Sequence, residues 1–166
     1  MVSPELLRRY PFFAGLSHDY LSKLAKMSDE IAVDEGHYFF HEDDDLDIFY
    51  LTLEGAVAIV IELPEKDVQH KVSEQFLREL KTKDVIVSTV GSGDIFGWSG
   101  LIPPYKATAG AKAVIACRVV AVKIQDLRDL FEKDCEFGLV MTLKAAQIIR
   151  ERLRDLRTET LSFIVQ

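Results

Sequence analysis

The stretch Gly93–Ala113, GDIFGWSGLIPPYKATAGAKA, carries the strongest structural signal in this sequence. Its first two residues are typical of a turn, and the apolar pair that follows is expected to be buried. Gly97 would allow a close approach of the backbone, and residues 98–102 can form one short helical turn, which Pro103 and Pro104 end. The amide N–H groups at the start of such a turn have no partner within it and suit a phosphate.

On these residues alone, the stretch Gly93–Ala113 has two interpretations. It is either a pocket that binds a small anion or the corner of a β-structure around a buried tryptophan. The rest of the chain has to decide between them.

The composition is that of a globular protein with one main domain. The chain has 166 residues, of which 48% are apolar and 28% charged, enough for a hydrophobic core. The formal net charge of −7 argues against a general nucleic-acid binder, whose affinity comes mainly from neutralising phosphates. No apolar run has the length of a membrane span and the N-terminus lacks the layout of a signal peptide, so we expect a cytoplasmic protein.

Cys117 and Cys135 are expected to be free thiols, with a reactive role for Cys135 at a helix N-terminus as the alternative.

Helical patterns precede and follow a region of strands. Ser3 and Ser17 are the capping residues of two predicted N-terminal helices. Short segments of alternating polarity between Gly, Asp and Glu-Gly turns then predict an antiparallel barrel or sandwich. The strands are expected within residues 30–36, 37–44, 47–55, 56–63, 84–90 and 113–124. We therefore expect N-terminal helices and a β-barrel over residues 1–124, and C-terminal helices over 125–166.

The polar segments carry no recognisable catalytic or metal-binding pattern. Segment 64–84 has apolar residues at every fourth position, which predicts a surface excursion between two strands or, alternatively, a lid or partner-docking helix. The acidic segment His41–Asp47 lacks the spacing of a calcium loop, so an acidic turn is predicted. We expect a protein that is not an enzyme and holds no metal.

A long helix is predicted from about Asp134 onward, and it carries a narrow apolar stripe. The stripe residues recur at intervals of three and four: Leu139, Leu143, Ala146, Ile149, Leu153, Leu156 and Phe163, with Thr160 among them. The stripe is longer than one small barrel can cover, so a paired helix from a second subunit, and hence a homodimer, is predicted. The alternative is that the helix packs entirely on its own domain.

The order of these elements resembles the cyclic nucleotide-binding domain family over nearly the whole chain. Glu35–Val57, EGHYFFHEDDDLDIFYLTLEGAV, is similar to the family pattern EGxxIFxEGDxxDxxYxIxxGxV, with Asp43 at the usual glycine. Gly93–Ala113 is similar to the family's phosphate-binding cassette, GDxFGELALL followed by RxAxVxA. The resemblance implies an α+β, mainly β fold, a cyclic-nucleotide-binding-type antiparallel β-barrel (a jelly roll, or double-stranded β-helix) with N-terminal helices and a long C-terminal helix.

The cassette departs from the family pattern where charge matters most. The resemblance implies ligand contacts at ten residues: Phe96, Gly97, Trp98, Ser99, Gly100, Leu101, Lys106, Ala107, Thr108 and Ala109. Trp98 replaces the family's glutamate for the ribose 2′-hydroxyl, and Ala107 replaces its phosphate-binding arginine, with Lys106 beside it. Losing one charged hydrogen-bond partner costs about 1.5–3 kcal/mol, and lysine does not copy the two-pronged grip of arginine. Lys106 folded inward is the compensating alternative, while Trp98 either stacks on a base or plugs the pocket.

The function implied by the resemblance is that of a non-catalytic regulatory sensor. Occupancy of the barrel by a small ligand would shift the C-terminal helix between two arrangements. The candidate ligands are cyclic AMP, cyclic GMP or another small anion. The alternative function is a ligand-free module for protein interaction and dimerisation. No helix-turn-helix follows the long helix, so we expect no DNA-binding domain in this chain and no membrane partner.

Overall fold

The computed structural model describes residues 2–64 and 82–164. The chain divides into two units, Met1–Ile124 and Gln125–Gln166. Most of the polar segment 64–84 lies outside the described residues, so the prediction of a surface excursion there stays a prediction.

The first unit opens with capped helical segments. They are α1 (Pro4–Arg8), a 3-10 turn (Pro11–Phe13) and α2 (His18–Lys26). The hydroxyl of Ser3 accepts the N–H of Leu6 at 3.1 Å, and that of Ser17 accepts the N–H of Tyr20 at 3.2 Å. Both predicted N-caps are therefore confirmed.

Within residues 28–64 and 82–123, eight strands follow and pair into two antiparallel sheets. They are β1 (Ser28–Val33), β2 (Tyr38–Phe40), β3 (Ile48–Glu54), β4 (Val57–Pro64), β5 (Thr82–Val90), β6 (Ile95–Phe96), β7 (Gly110–Ala113) and β8 (Cys117–Lys123). One four-stranded sheet has the order β1-β8-β3-β6 and the other the order β2-β7-β4-β5. The prediction of a mainly antiparallel β domain is confirmed at the level of these two sheets, while closure into a barrel stays a prediction.

The predicted strand 113–124 is wrong in one respect, because it is two elements in different sheets. Strand β7 ends at Ala113 and pairs with β4, whereas β8 begins at Cys117 and pairs with β1 and β3. Between them, the N–H of Val114 donates to the carbonyl of Ala56 at 2.9 Å. This turn carries none of the Gly, Pro or Asn residues that usually mark one. Two of its residues, Val114 and Ile115, are instead apolar and exposed.

The core of the first unit lies between the two sheets. Its buried residues come from one sheet (Tyr50, Phe96, Cys117, Val119) and from the other (Val57, Val90, Ala111, Ala113). The ring of Tyr50 stacks on that of Phe96, with centroids 4.7 Å apart and planes inclined by 10°. Burying each such aromatic side chain contributes about 1.5–3 kcal/mol. On the other side of β3, the ring of Phe49 packs against Phe12, 5.7 Å away, which joins the N-terminal turn to this sheet.

The second unit is helical. It contains α3 (Ile124–Lys133) and α4 (Cys135–Ile164). The carboxylate of Asp134 accepts the N–H of Phe137 at 3.0 Å and so caps α4, whose start near Asp134 agrees with the prediction. Cys117 is buried in β8 and Cys135 is exposed at the start of α4, and both are free thiols.

Helix α4 presents most of the predicted stripe to solvent. Leu139, Leu143, Leu153 and Leu156 are 61%, 55%, 47% and 48% exposed, Ala146 is exposed, and Ile149 is half-buried. Phe163 lies within the helix, but its side chain is outside the description. A different set, Phe137, Met141 and Ala145, is buried at intervals of four and is not part of the predicted stripe. Across the described residues, no helix combines the length and apolarity that a bilayer crossing requires.

Candidate functional site

The cassette begins on a buried strand end. Phe96 is 2% exposed and pairs with Tyr50 across β6 and β3. The ring of Phe39 meets it edge-on at 4.9 Å. The first of the ten candidate residues is therefore a core residue that holds the start of the cassette against the inner face of the sheet.

Gly97 turns the chain from β6 into the predicted short helix. Its φ of 76° is left-handed, and a Cβ atom there would lie 2.7 Å from the carbonyl oxygen of Ile48. The 3-10 turn Trp98–Leu101 follows at once, which confirms both the close backbone approach and the helical turn. Among the described residues, no hydrogen-bond partner is recorded for the amide N–H groups of Trp98 and Ser99 at its start. This turn thus offers the oriented donors that an anion requires.

Replacing Gly97 by alanine should destabilise the protein by about 3 kcal/mol or more, because a left-handed φ and a backbone clash act together. The matched control is Gly36→Ala, whose φ of 84° is also left-handed but where a Cβ would meet nothing within 4 Å. Backbone strain alone should cost that control about 1–2 kcal/mol. Urea unfolding of both variants measures the difference. Equal losses in the free energy of unfolding would show that the close approach of Gly97 to the carbonyl of Ile48 contributes nothing.

The middle of the cassette is partly buried and tightly packed. Trp98, Ser99 and Leu101 are half-buried and Gly100 is buried. A Cβ at Gly100 would lie 2.9 Å from the Cβ of Leu46. The turn therefore packs against the loop His41–Asp47, which we call the acidic loop.

The acidic loop is hydrogen-bonded along the far end of the cassette. The N–H of Ala107 donates to the carbonyl of Asp44 at 2.8 Å, and the N–H of Asp43 donates to that of Ala107 at 3.0 Å. Within the loop, a carboxylate oxygen of Asp44 accepts the N–H of His41 at 2.8 Å, which confirms the predicted acidic turn. No group of three or more metal-ligating side chains occurs within the described ranges.

Lys106 makes its contacts on this same loop. Its ammonium donates to a carboxylate oxygen of Asp45 at 2.9 Å and to the carbonyl of Asp43 at 3.2 Å. For Lys106 to replace the missing arginine, as the compensating alternative requires, this ion pair has to break. The ion pair is largely exposed, with Lys106 at 48% and Asp45 at 79%, so breaking it costs at most about 1 kcal/mol.

The last three candidate residues differ in burial. Ala107 is 2% exposed, Thr108 is exposed, and Ala109 is half-buried. In the family pattern this position is an arginine. Ala107 has only a methyl group there and so supplies no charge. The structure thus places six of the ten candidate residues at the end of β6 and in the turn after it, and the other four in the segment directly before β7. The donors of the turn come from the backbone rather than from a guanidinium.

A cavity of about 300 Å³ lies next to the acidic loop, and we call it the acidic cavity. It is lined by Phe39, Phe40, Asp44, Asp45, Leu46, Asp47, Ile48 and Tyr50. None of the ten candidate cassette residues lines it. This cavity was not predicted from the sequence, although the run Tyr38-Phe39-Phe40 directly before the acidic loop places aromatic and acidic residues side by side in the chain.

A polar network covers the second sheet beside the acidic loop. The ammonium of Lys112 contacts a carboxylate oxygen of Asp84 at 2.9 Å and lies 4.8 Å from the ring centre of Tyr38. Hydrogen bonds from Tyr38 and then Lys112 hold the pKa of Asp84 below its ordinary value. Burial, followed by the carboxylate of Asp84, raises the pKa of Tyr38. The His41 ring stacks on Tyr38 at 4.2 Å and contacts Glu62 at 3.0 Å, which ties the acidic loop to β4.

The lowered pKa of Asp84 predicts a contribution to stability that depends on pH. The contribution is present above the ordinary carboxyl pKa of 3.8 and is lost as the pH falls through the lower folded pKa. Asp84→Asn should therefore destabilise the protein at pH 7 and flatten its loss of stability towards about pH 3. Thermal unfolding against pH measures this, with Asp34→Asn in the exposed β1–β2 turn as the control of equal charge change. If the stability of Asp84→Asn depends on pH in the same way as that of the wild type, Asp84 is not responsible for the pH dependence.

The comparisons with known proteins agree with this geometry. The family model for the cyclic nucleotide-binding domain matches residues 30–134. A solved structure of a candidate cyclic nucleotide-binding protein from Geobacter metallireducens GS-15 is 33% identical, with a TM-score of 0.73 over 92% of this chain and 99% of that one. Comparison with curated protein sequences finds no match.

More distant structures share the fold alone. The regulatory domain of Toxoplasma gondii PKA, solved with cAMP, is 18% identical, with a TM-score of 0.66 over 89% of this chain and 48% of that one. Catabolite activator protein from Thermus thermophilus is 21% identical, with a TM-score of 0.62 over 92% of this chain and 63% of that one.

Proposed function

We propose that this protein, which belongs to the cyclic nucleotide-binding domain family, is a non-catalytic regulatory sensor with a weakened cassette. A small anion would occupy the cassette inside a β-barrel formed by the two sheets. Its occupancy would shift helix α4, which pairs two subunits. Two free cysteines fit a reducing compartment, so the proposal places the protein in the cytoplasm.

The observation that carries the proposal is the turn at Gly97. A left-handed glycine and a buried core strand hold the amides of Trp98 and Ser99 in a fixed orientation, with no partner among the described residues. Preorganised amides of this kind stabilise an anion without reorganisation on binding. Only their dipoles favour the anion, because Lys106 is held by Asp45 and position 107 has no charge.

Weak binding of cyclic nucleotides is the consequence. The charge-assisted contacts that distinguish a strong phosphate site are missing at both Trp98 and Ala107. Cyclic AMP or cyclic GMP would therefore bind in the millimolar range at best, and a smaller anion is the other candidate. Regulation by such a ligand requires either a high ligand concentration or a different anion.

The second candidate function is an interaction module that has lost its ligand, and one observation favours it. The leucines of α4 are exposed, whereas the cassette lacks both charged contacts, so pairing through the helix could persist without any ligand. Calorimetric titration of the wild type with cyclic AMP and cyclic GMP separates the two functions. Saturable binding supports the sensor, and no heat of binding at the solubility limit of either nucleotide supports the interaction module.

A further inference from the structure

We propose that the acidic cavity binds a small organic ammonium ion, a ligand opposite in charge to a cyclic nucleotide. The cavity shares no lining residue with the ten candidate cassette residues. The inference therefore goes beyond the proposed function and does not depend on it.

The walls of the cavity suit an organic cation. Phe39, Phe40 and Tyr50 present aromatic rings, with the Phe39 and Tyr50 centroids 5.1 Å apart. The face of an aromatic ring attracts a cation within about 6 Å of its centre. The volume of about 300 Å³ is at the lower end of ordinary small-molecule pockets. Apolar aromatic walls also favour a ligand with a carbon body over a bare metal ion.

The charged side chains that line the cavity are carboxylates, and an ion pair at its rim joins one of them, Asp45, to Lys106. Asp44, Asp45 and Asp47 line it, and no lysine, arginine or histidine does. No hydrogen bond or ion pair within the described ranges involves the carboxylate of Asp47. An anion entering here would meet the carboxylates of Asp44 and Asp47, whereas an ammonium would gain them as acceptors.

The chain itself supplies an example of an ammonium held at this rim. The Nζ atom of Lys106 lies between a carboxylate oxygen of Asp45 and the backbone carbonyl of Asp43, at 2.9 and 3.2 Å. The loop therefore presents carboxylate and carbonyl oxygens at a spacing that an ammonium group fits.

The hydroxyl group of Tyr50 provides an independent indication of a ligand. Tyr50 is 6% exposed and lines the cavity, yet no described residue forms a hydrogen bond with its hydroxyl. Burial raises the pKa of Tyr50, so the group stays neutral and its oxygen is able to accept an N–H. The side chain of Tyr50 as a whole is nearly buried and lines the cavity, so an ammonium ligand there would find the hydroxyl oxygen as an acceptor.

Three probes with one aromatic body test the charge of the ligand. Phenethylammonium, 2-phenylethanol and 3-phenylpropionate carry positive, neutral and negative head groups. In a titration followed by amide chemical shifts, phenethylammonium should bind with a Kd of roughly 1 mM, and phenylpropionate at least about tenfold more weakly. The shifted amides should lie in residues 39–50 and at Ala107, whose N–H donates to the carbonyl of Asp44, rather than in the cassette turn at residues 96–101. Titration with cyclic AMP in parallel reports on the cassette, so failure of one site is distinguishable from failure of the other.

Two variants assign the contacts. Asp47→Asn should weaken phenethylammonium binding by about three- to tenfold, and Tyr50→Phe by about threefold. The control Asp34→Asn removes one negative charge at an exposed residue outside the cavity lining and should leave the affinity unchanged. The proposal is overturned if phenylpropionate binds as well as phenethylammonium, if Asp34→Asn weakens binding as much as Asp47→Asn, or if phenethylammonium shifts no amide of residues 39–50.

Discussion

Replacing Ala107 by arginine together with Trp98 by glutamate should raise the affinity for cyclic AMP by roughly a hundredfold or more. Each substitution returns one charge-assisted contact, a guanidinium for the cyclic phosphate and a carboxylate for the ribose hydroxyl. The backbone for these contacts is already in place, since Gly97 orients the amides of the turn. The wild type, which has the dipoles without the charges, should bind weakly or not at all.

Calorimetry at low millimolar ligand measures this gain. Ala107 is 2% exposed, so an arginine there has to extend from a buried backbone towards the cassette. The matched control is Thr108→Arg with Trp98→Glu, which adds the same charges but places the guanidinium on an exposed neighbour. If that control gains as much affinity as the variant at position 107, general charge rather than the cassette geometry is responsible. A double variant that folds and still does not bind would favour the ligand-free interaction module.

The wild-type protein allows the role of Lys106 to be tested separately. If Lys106 leaves Asp45 to bind a phosphate, Lys106→Ala should abolish any residual affinity for anions. Asp45→Asn should raise that affinity, because it frees the ammonium from its ion pair. Micromolar binding by the wild type would contradict the weakened cassette. Trp98 and a neighbouring cation would then form an alternative phosphate site.

Introducing aspartate at both Ile149 and Leu153 should convert the proposed dimer into a monomer. The exposed leucines of α4 include Leu139 and Leu143, which are 61% and 55% exposed. The helix has 30 residues and is therefore about 45 Å long. A second copy of the same helix is the partner whose stripe has the same length and spacing. Two carboxylates buried without partners in that seam would cost several kcal/mol, enough to shift association by a hundredfold or more.

Light scattering over a concentration series reports the mass of the protein. The control is Gln147→Asp with Thr158→Asp, which makes the same charge change at exposed polar positions of α4 outside the stripe. This control should remain dimeric, and circular dichroism should show that both variants keep their helix. A wild type that is monomeric at tens of micromolar would contradict the dimer and favour a helix that packs on its own domain.

Local constraints explain which features were predictable from the sequence. Ser3 and Ser17 cap the helices that they were expected to cap, and Asp134 caps the helix that was predicted to begin near it, because capping involves only residues three positions apart. Gly97 and the turn after it were predictable for the same reason, since a left-handed residue and a short helix are encoded within a few positions. The antiparallel strands followed from alternation and turn residues.

Features that depend on distant residues were decided only by the tertiary structure. The turn after Ala113 was missed because Val114 and Ile115 are apolar, and only the pairing of β7 and β8 with different strands reveals the break. Lys106 lies 61 residues from Asp45 in sequence, so no local pattern shows that the two form an ion pair. The acidic cavity likewise requires β2, the acidic loop and β3 to meet. By itself the sequence determined the cassette and its missing charges, whereas long-range packing decided which cations and carboxylates lie beside it, because side-chain neighbours across a β-fold are set by strand pairing and not by proximity in the chain.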